Sequence, residues 1–348
     1  MLVMTISPII VRFAEKAGFE LLARLMSYAG YFWMGIIFLF VCFALLIDGY
    51  RLIVSAAGAI IGENLSGLSI GERSAFLIPF LIAIGIVVYG FFEALNIRTE
   101  HLMLRSSKIP SGIGRVRIAQ ISDVHLGLIV REKRLERILS AVARTEPDIF
   151  VSTGDLVDGQ IDNLLPLARM FREIEPWLGK YGVTGNHEFY AGLDQSIRFT
   201  EQAGFTMLRG ERIDIGDFLT IAGVDDSQAR SFGLFSGRSE SDLLGDLPDN
   251  RFVLLLKHRP LLDEDSRGLF DLQLSGHVHR GQIFPFSIIT GLYYETQAGL
   301  ATFSDGSSLY VSRGAGTWGP PVRFLSPPEV TVIDLVPADA LVEQPGGH

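Results

Sequence analysis

Residues 25–47 contain no charged side chain, and Tyr31, Phe32, Trp33, Phe38 and Phe40 are set there among Ile, Leu and Val. As a helix the run is about 35 Å long, enough to cross the ~30 Å hydrocarbon core of a bilayer. A second uncharged run covers 74–92 and includes Pro79, Gly85 and Gly90, which lipid-embedded helices tolerate better than helices in water. Together the runs predict an α-helical transmembrane hairpin over 26–96, with spans near 25–47 and 74–95. The apolar stretch 52–62 is too short to span and either extends the first helix or lies in the interface. Hydrophobic residues are 48% of the 348-residue chain and mean hydropathy is +0.32. The excess falls before residue 96, so the remainder of the chain has the composition of one large water-exposed domain.

Ahead of the first run, Ile10, Phe13, Ala14, Ala17, Leu21 and Leu25 recur at helical spacing against Arg12, Glu15, Lys16 and Glu20. This predicts an amphipathic helix within 1–25, lying on the membrane surface or packed on the spans. Charges so early also argue against a cleaved signal peptide. Arg12, Lys16 and Arg24 precede the hairpin and Arg98, Arg105, Lys108, Arg115 and Arg117 come after it, whereas only Arg51 and Arg73 lie between. By the positive-inside rule both ends face the cytoplasm, which predicts a multi-pass protein of the inner membrane with a cytoplasmic C-terminal domain. The single cysteine, Cys42, allows neither a disulfide framework nor a cysteine metal site within one chain. A net charge of −9 without a long basic run gives no footprint for nucleic acid.

After a Ser/Gly/Pro-rich linker, taken as 97–114, short β-rich segments alternate with helices. Strands are expected at 115–122, 148–153, 181–184, 218–223, 252–257, 271–274, 308–312 and 330–335, and a helix at 133–144. The domain is assigned to 115–338 and a tail to 339–348. Ligands of layered α/β sheets gather beyond the carboxyl ends of strands. There this chain places Asp123 and His125, then Gly154-Asp155, then Gly185-Asn186-His187-Glu188, then His258, and finally Gly276-His277-Val278-His279. Of the 7 histidines, five occupy such positions. A lone histidine is usually structural, but five in one local context with two aspartates point to a shared metal site. Gly154, Gly185 and Gly276 would let the backbone turn tightly beside the ions.

In residue type and order these motifs resemble the calcineurin-like metallophosphoesterases, over about 115–280. The resemblance implies an α/β four-layer metallophosphoesterase sandwich: two packed mixed sheets flanked by helices, here preceded by the hairpin. It also implies two divalent metal ions. Asp123, His125, Asp155 and His279 would hold one, and Asp155, Asn186, His258 and His277 the other, with Asp155 bridging. Imidazoles together with carboxylates suit manganese, the first expectation, or iron or zinc. Two ions about 4 Å apart can activate a water between them for in-line attack on phosphorus. By the same resemblance His187 protonates the leaving group or stabilises transition-state charge. Asp158 and Glu188 are kept out of the ligand set, as carboxylates that either orient a histidine or face solvent.

Where many relatives carry Gly-Gly after the last histidine, this chain has Arg280-Gly281, which makes Arg280 a candidate for a substrate phosphate. Arg313 and Arg323, in the glycine-rich stretch 310–325, are further candidates, or else solvent-exposed arginines of a β-turn. The apolar stretch 283–294 reads either as core or as a membrane-facing lip. The expected function is hydrolysis of a phosphodiester or pyrophosphate bond, in a lipid-linked substrate because of the anchor. The alternatives are a phosphodiesterase for soluble nucleotides held at the membrane, and a silent scaffold.

Overall fold

The computed structural model describes residues 2–159, 164–235 and 238–340, so most of the expected 339–348 tail lies outside the described residues. The chain divides into two compact units, Met1–Ala94 with Gly319–Phe324, and Leu95–Trp318 with Leu325–His348.

The first unit is helical. A helix at Ser7–Lys16 is followed by Gly18 at φ +79°, a left-handed turn that separates it from the helix Glu20–Ile61. That 42-residue helix is about 63 Å long by its rise per residue, twice a hydrocarbon core. It absorbs the 52–62 stretch and ends where Gly62 turns left-handed and donates its N–H to Gly58 O. The partner helix is Glu72–Glu93. Both are long and apolar enough to cross a membrane, and only 17% and 22% of their most apolar windows is buried in the protein. The core helix of a water-soluble protein would hide that surface, so the two helices mark membrane association.

Of the two arrangements open to the first helix, packing on the spans is the one adopted: Ser7, Val11 and Ala14 are buried. Ser7 sits against Gly30, where any added Cβ would collide with its Oγ. The late segment Gly319–Phe324 also joins this unit. Arg323 N–H donates to Gly90 O at 2.9 Å, and a Cβ on Gly90 would lie 2.5 Å from Val322 Cγ1. Small residues at Gly30 and Gly90 thus admit close packing, as in membrane helix bundles.

The second unit contains two six-stranded mixed sheets. The strands are β1 (Arg98–Ser106), β2 (Val116–Ile121), β3 (Ile149–Ser152), β4 (Lys180–Gly182), β5 (Thr206–Met207), β6 (Glu211–Ile215), β7 (Leu219–Gly223), β8 (Phe252–Leu256), β9 (Leu272–Ser275), β10 (Gly299–Thr302), β11 (Ser308–Val311) and β12 (Glu329–Pro337). One sheet has the order β1-β12-β2-β3-β4-β5 and the other β10-β11-β9-β8-β7-β6. Residues 98–106, read as linker, are instead edge strand β1, parallel to β12 from Arg98↔Glu329 onward. Their polar side chains hide a strand that needs only one apolar face.

Alternation along the central strands makes four layers. Ile118, Ile149, Val151, Leu254 and Leu256 face a core shared by both sheets. Ala119, Ile121 and Phe150 face outward, onto the helices Glu132–Ala143 and Leu193–Gln202, while Val253 and Leu255 face Leu243, Leu244 and Phe270. Burial on both faces explains why β3 and β8 are continuous apolar runs. β2, β3 and β4 are parallel neighbours, as are β8 and β9, so in each sheet the loaded loops leave the same edge.

Candidate metal centre

The loops beyond these strand ends hold their polar side chains in a backbone geometry that L-residues rarely adopt. Asp123, His125, Asp155, His277 and His279 all have φ between 49° and 70°. Each such residue costs of order 1–3 kcal/mol and persists only where its surroundings dictate it. Here they do: Asp123 N–H donates to Gly154 O and His125 N–H to Asp155 O, each at 3.0 Å, lacing the β2 loop to the β3 loop. His277 N–H donates to Asp123 Oδ2 at 3.0 Å, and His187 N–H to Asp155 Oδ1 at 2.8 Å. The glycines serve close approach more than turning. Only Gly154 has positive φ, +95°, whereas a Cβ on Gly276 would collide with Ser122 Oγ and Asp123 Oδ2.

Glu188 is the clip that sequence reasoning left unassigned. It is buried and accepts N–H bonds from Gly185 at 2.6 Å, Leu156 at 2.8 Å and Asp155 at 3.0 Å. Burial and Asp155 push its pKa up to about 7, while those backbone donors pull the other way. A glutamate at the third helical position after Gly185 is a capping-box signal, and that spacing could have revealed it. Replacing Glu188 with Gln turns an amide NH₂ toward backbone donors. The thermal melt in detergent should then fall by the equivalent of about 2–4 kcal/mol, with weakened metal retention.

The donor atoms converge. Asp123, His125 and His279 can present ligand atoms all within 4.8 Å of one another, as can Asp155, His258 and His277, and also His125, Asp155 and His187. Several contacts bring imidazole nitrogens face to face. His125 Nε2 lies 3.2 Å from His279 Nε2, and His277 Nδ1 lies 3.2 Å from His258 Nε2. His258 Nδ1 donates to Thr153 O at 2.8 Å, which turns Nε2 toward Asp155 Oδ2 at 3.2 Å. Burial opposes protonation of His258, yet Asp155 and Asp123 carry it up to about 10, so Nε2 holds a proton that a bound cation would displace. Asn186 Oδ1 is buried without a hydrogen-bond partner among the described residues. Imidazole lone pairs, carboxylates and an orphan amide oxygen facing one another fit divalent cations.

The protonation equilibria reflect that crowding. Burial lowers His125 to about 4 and His277 to about 3, so both rings are neutral donors at neutral pH. Burial raises Asp123 to about 6. It would raise Asp155 as well, but His258, His187 and His125 hold that carboxyl well below its usual range. For His187 burial opposes protonation, yet Asp155 and Asp158 carry it up to about 9. Cations bound beside it would draw that value down, and the Asp158 contact, Oδ1 to His187 Nδ1 at 2.9 Å, would remain.

Of the arginines, Arg280 is exposed beside His279, and its guanidinium forms no ion pair among the described residues. Arg313 is neither a free anion contact nor a solvent-exposed turn residue. Its guanidinium is 2.6 Å from buried Glu329, donates to Pro327 O and pairs with Glu100, so its charge is committed to holding β1 to β12. Arg323 is fully buried. The Gly-rich stretch serves the site differently: Ala315 N–H donates to Ser122 O and Gly316 N–H to Asp123 O, at 2.9 Å, bracing the Asp123 loop. Ring contacts to His187 from Tyr190 and Trp318, and to His277 from Tyr294, were invisible in the sequence.

A two-sheet fold with such a donor set at its strand ends defines a metal-dependent phosphoric ester hydrolase. The family model for calcineurin-like phosphoesterases matches residues 116–281. An uncharacterised metallophosphoesterase of Aquifex aeolicus is 42% identical over 255 residues, 73% of this chain and 97% of that protein. Another, from Bacillus subtilis, is 31% identical over 71% of this chain and 89% of its own length. A transmembrane protein with metallophosphoesterase domain from Danio rerio is 31% identical over 76% of this chain and 63% of its own. Among solved structures, a dimetal phosphatase from Danio rerio superposes with a TM-score of 0.39 at 14% identity, covering 57% of this chain and 88% of that one. The chain belongs to the calcineurin-like metallophosphoesterase family.

Proposed function

We propose that this chain is a membrane-anchored phosphoesterase with a dinuclear centre, which cleaves a phosphodiester or pyrophosphate bond of a lipid-linked substrate at the cytoplasmic face of the inner membrane. The observation that carries it is the meeting of two donor groups, Asp123-His125-His279 and Asp155-His258-His277, with Asp155 within reach of both: its Oδ2 is 3.2 Å from His258 Nε2 and 3.9 Å from His125 Nε2. Asp155 would bridge the two ions and Asn186 would complete the second ligand set, with manganese the first candidate, ahead of iron and zinc. Two such ions would polarise the phosphoryl oxygens and lower the pKa of a water between them.

The chain's own groups do the rest. Asp158 fixes the His187 ring through Nδ1, leaving Nε2 to give a proton to the leaving oxygen. Thr153 O fixes the tautomer of His258, and Glu188 holds the Asp155 and Asn186 loops in register. Arg280, exposed at the last ligand, suits a substrate oxygen. The two apolar helices support the lipid-linked reading, and the arginines and lysine on their C-terminal side support the orientation.

A manganese-supplemented assay in detergent, comparing a chromogenic phosphodiester, a phosphomonoester and an acylated UDP-sugar, tests the proposal. The expected order of kcat/KM is acylated UDP-sugar first, phosphodiester second and phosphomonoester last. Equal efficiency on UDP-sugars with and without the acyl chain would favour a soluble nucleotide substrate. Fewer than one divalent ion per chain after reconstitution would favour a scaffold.

A further inference from the structure

The mouth of the metal centre is rimmed by apolar side chains that the protein does not cover. Residues 283–294, for which core packing was one expectation, are mostly exposed. Only Ile283 of the stretch is a buried hydrophobic; Phe284, Phe286, Ile288 and Ile289 are exposed, and Leu292 and Tyr293 reach 79% and 76%. The stretch is built to stay there. The helix Phe286–Thr290 comes directly after the His279 turn, and Gly281 meets Ser287 so closely that a Cβ would collide with its backbone N.

A second group of exposed rings stands beside His187. Tyr190 lies edge-on to His187 at 5.4 Å and meets the ring of exposed Phe232 at 6.2 Å, with Leu234 exposed beyond. Trp318, 56% exposed, also stands edge-on to His187, at 6.1 Å. Its backbone is clamped to the Gln282 amide by two hydrogen bonds of 2.8 and 2.9 Å. Large apolar side chains held in water beside a polar centre are costly unless something apolar covers them, and contiguous patches of this kind mark interaction surfaces.

Three features identify what covers this one. The chain already carries two helices long and apolar enough to cross a bilayer, with most of that surface left uncovered by the protein. Residues 94–97 alone separate the helix Glu72–Glu93 from β1, a tether of about 14 Å at full extension. Trp318 is followed immediately by Gly319–Phe324, the segment that packs within the helical unit. Exposed Arg280 and Arg230, the latter over the Phe235 ring at 4.7 Å, add the positive charge that anionic headgroups attract.

We infer that this collar, centred on Leu292, Tyr293 and Trp318, is a second membrane contact that sinks into the headgroup region of an anionic bilayer and opens the metal centre directly onto lipid. The inference rests on the reading of the hairpin as membrane-embedded. An amphipathic surface of this kind sits about 5–10 Å into the headgroup boundary.

Cys42 is the only cysteine, so a Cys42→Ala background allows single-site labelling of the full chain. An NBD probe is placed at Leu292→Cys, at Leu81→Cys within the second apolar helix, and at Asp217→Cys on the exposed β6–β7 turn. The protein is reconstituted in phosphatidylethanolamine–phosphatidylglycerol nanodiscs carrying nitroxide lipids. The expected result is blue-shifted emission with strong quenching at 292 and 81, and neither at 217. A probe at 292 that behaves like 217 while 81 is quenched overturns the collar and leaves the hairpin standing. A blue shift at 292 without lipid quenching also overturns it, since a second protein copy would then cover the patch. Loss of quenching at 81 overturns both readings.

Discussion

Replacement of Asp155 with Ala is expected to lower bound divalent metal from the proposed two ions per chain to one or none and to reduce turnover by about 10³-fold or more. Its Oδ2 faces His258 and His125, and its Oδ1 accepts the His187 N–H, so one carboxylate ties both donor groups and the candidate acid together. Removing it leaves Asp123 as the one carboxylate of the two donor groups, too little negative charge to hold two neighbouring cations. Metal analysis of the purified variant, with activity on the chromogenic phosphodiester, checks both halves. Retention of two ions would show that Asp155 does not bridge.

His187→Ala separates chemistry from metal binding. Turnover should fall about 10²–10⁴-fold, the usual range for a lost proton donor, while metal content stays at the wild-type value. His187 also stands close enough to His125 and Asp155 to ligate, so a loss of metal in this variant would reassign it as a ligand. Asp158→Asn gives an independent reading. The carboxylate raises the His187 pKa, and an acid works only while protonated, so activity is lost as pH rises through that value. Without the charge the pKa falls, and the alkaline limb of the rate profile should move to lower pH. An unmoved limb would exclude His187 as the donor.

Much of this architecture is legible in the amino-acid sequence. The uncharged runs announce helices because apolar side chains in a continuous stretch have no face to offer water. Strands β2, β3, β8 and β9 announce themselves because both their faces are buried, and their ends carry the Asp, Asn and His residues whose chemistry only metal would reconcile. β1 was missed since an edge strand can be half polar, and β5, β6 and β10 were missed as short or solvated. For Arg313 and Arg323 a sequence shows that a charge exists, and not that Glu100 and Glu329 already pair with the first or that the second is buried.

The primary sequence by itself determined the two solvents this chain must meet and the identity of the side chains gathered for chemistry, because hydropathy runs and residue types are local properties. Only the tertiary structure decided which groups face one another. The Glu188 clip, the Asp158–His187 contact, the left-handed backbone at the site and the apolar rim around it all join residues distant in the chain. Their energies depend on distance and burial, which no single stretch of sequence contains.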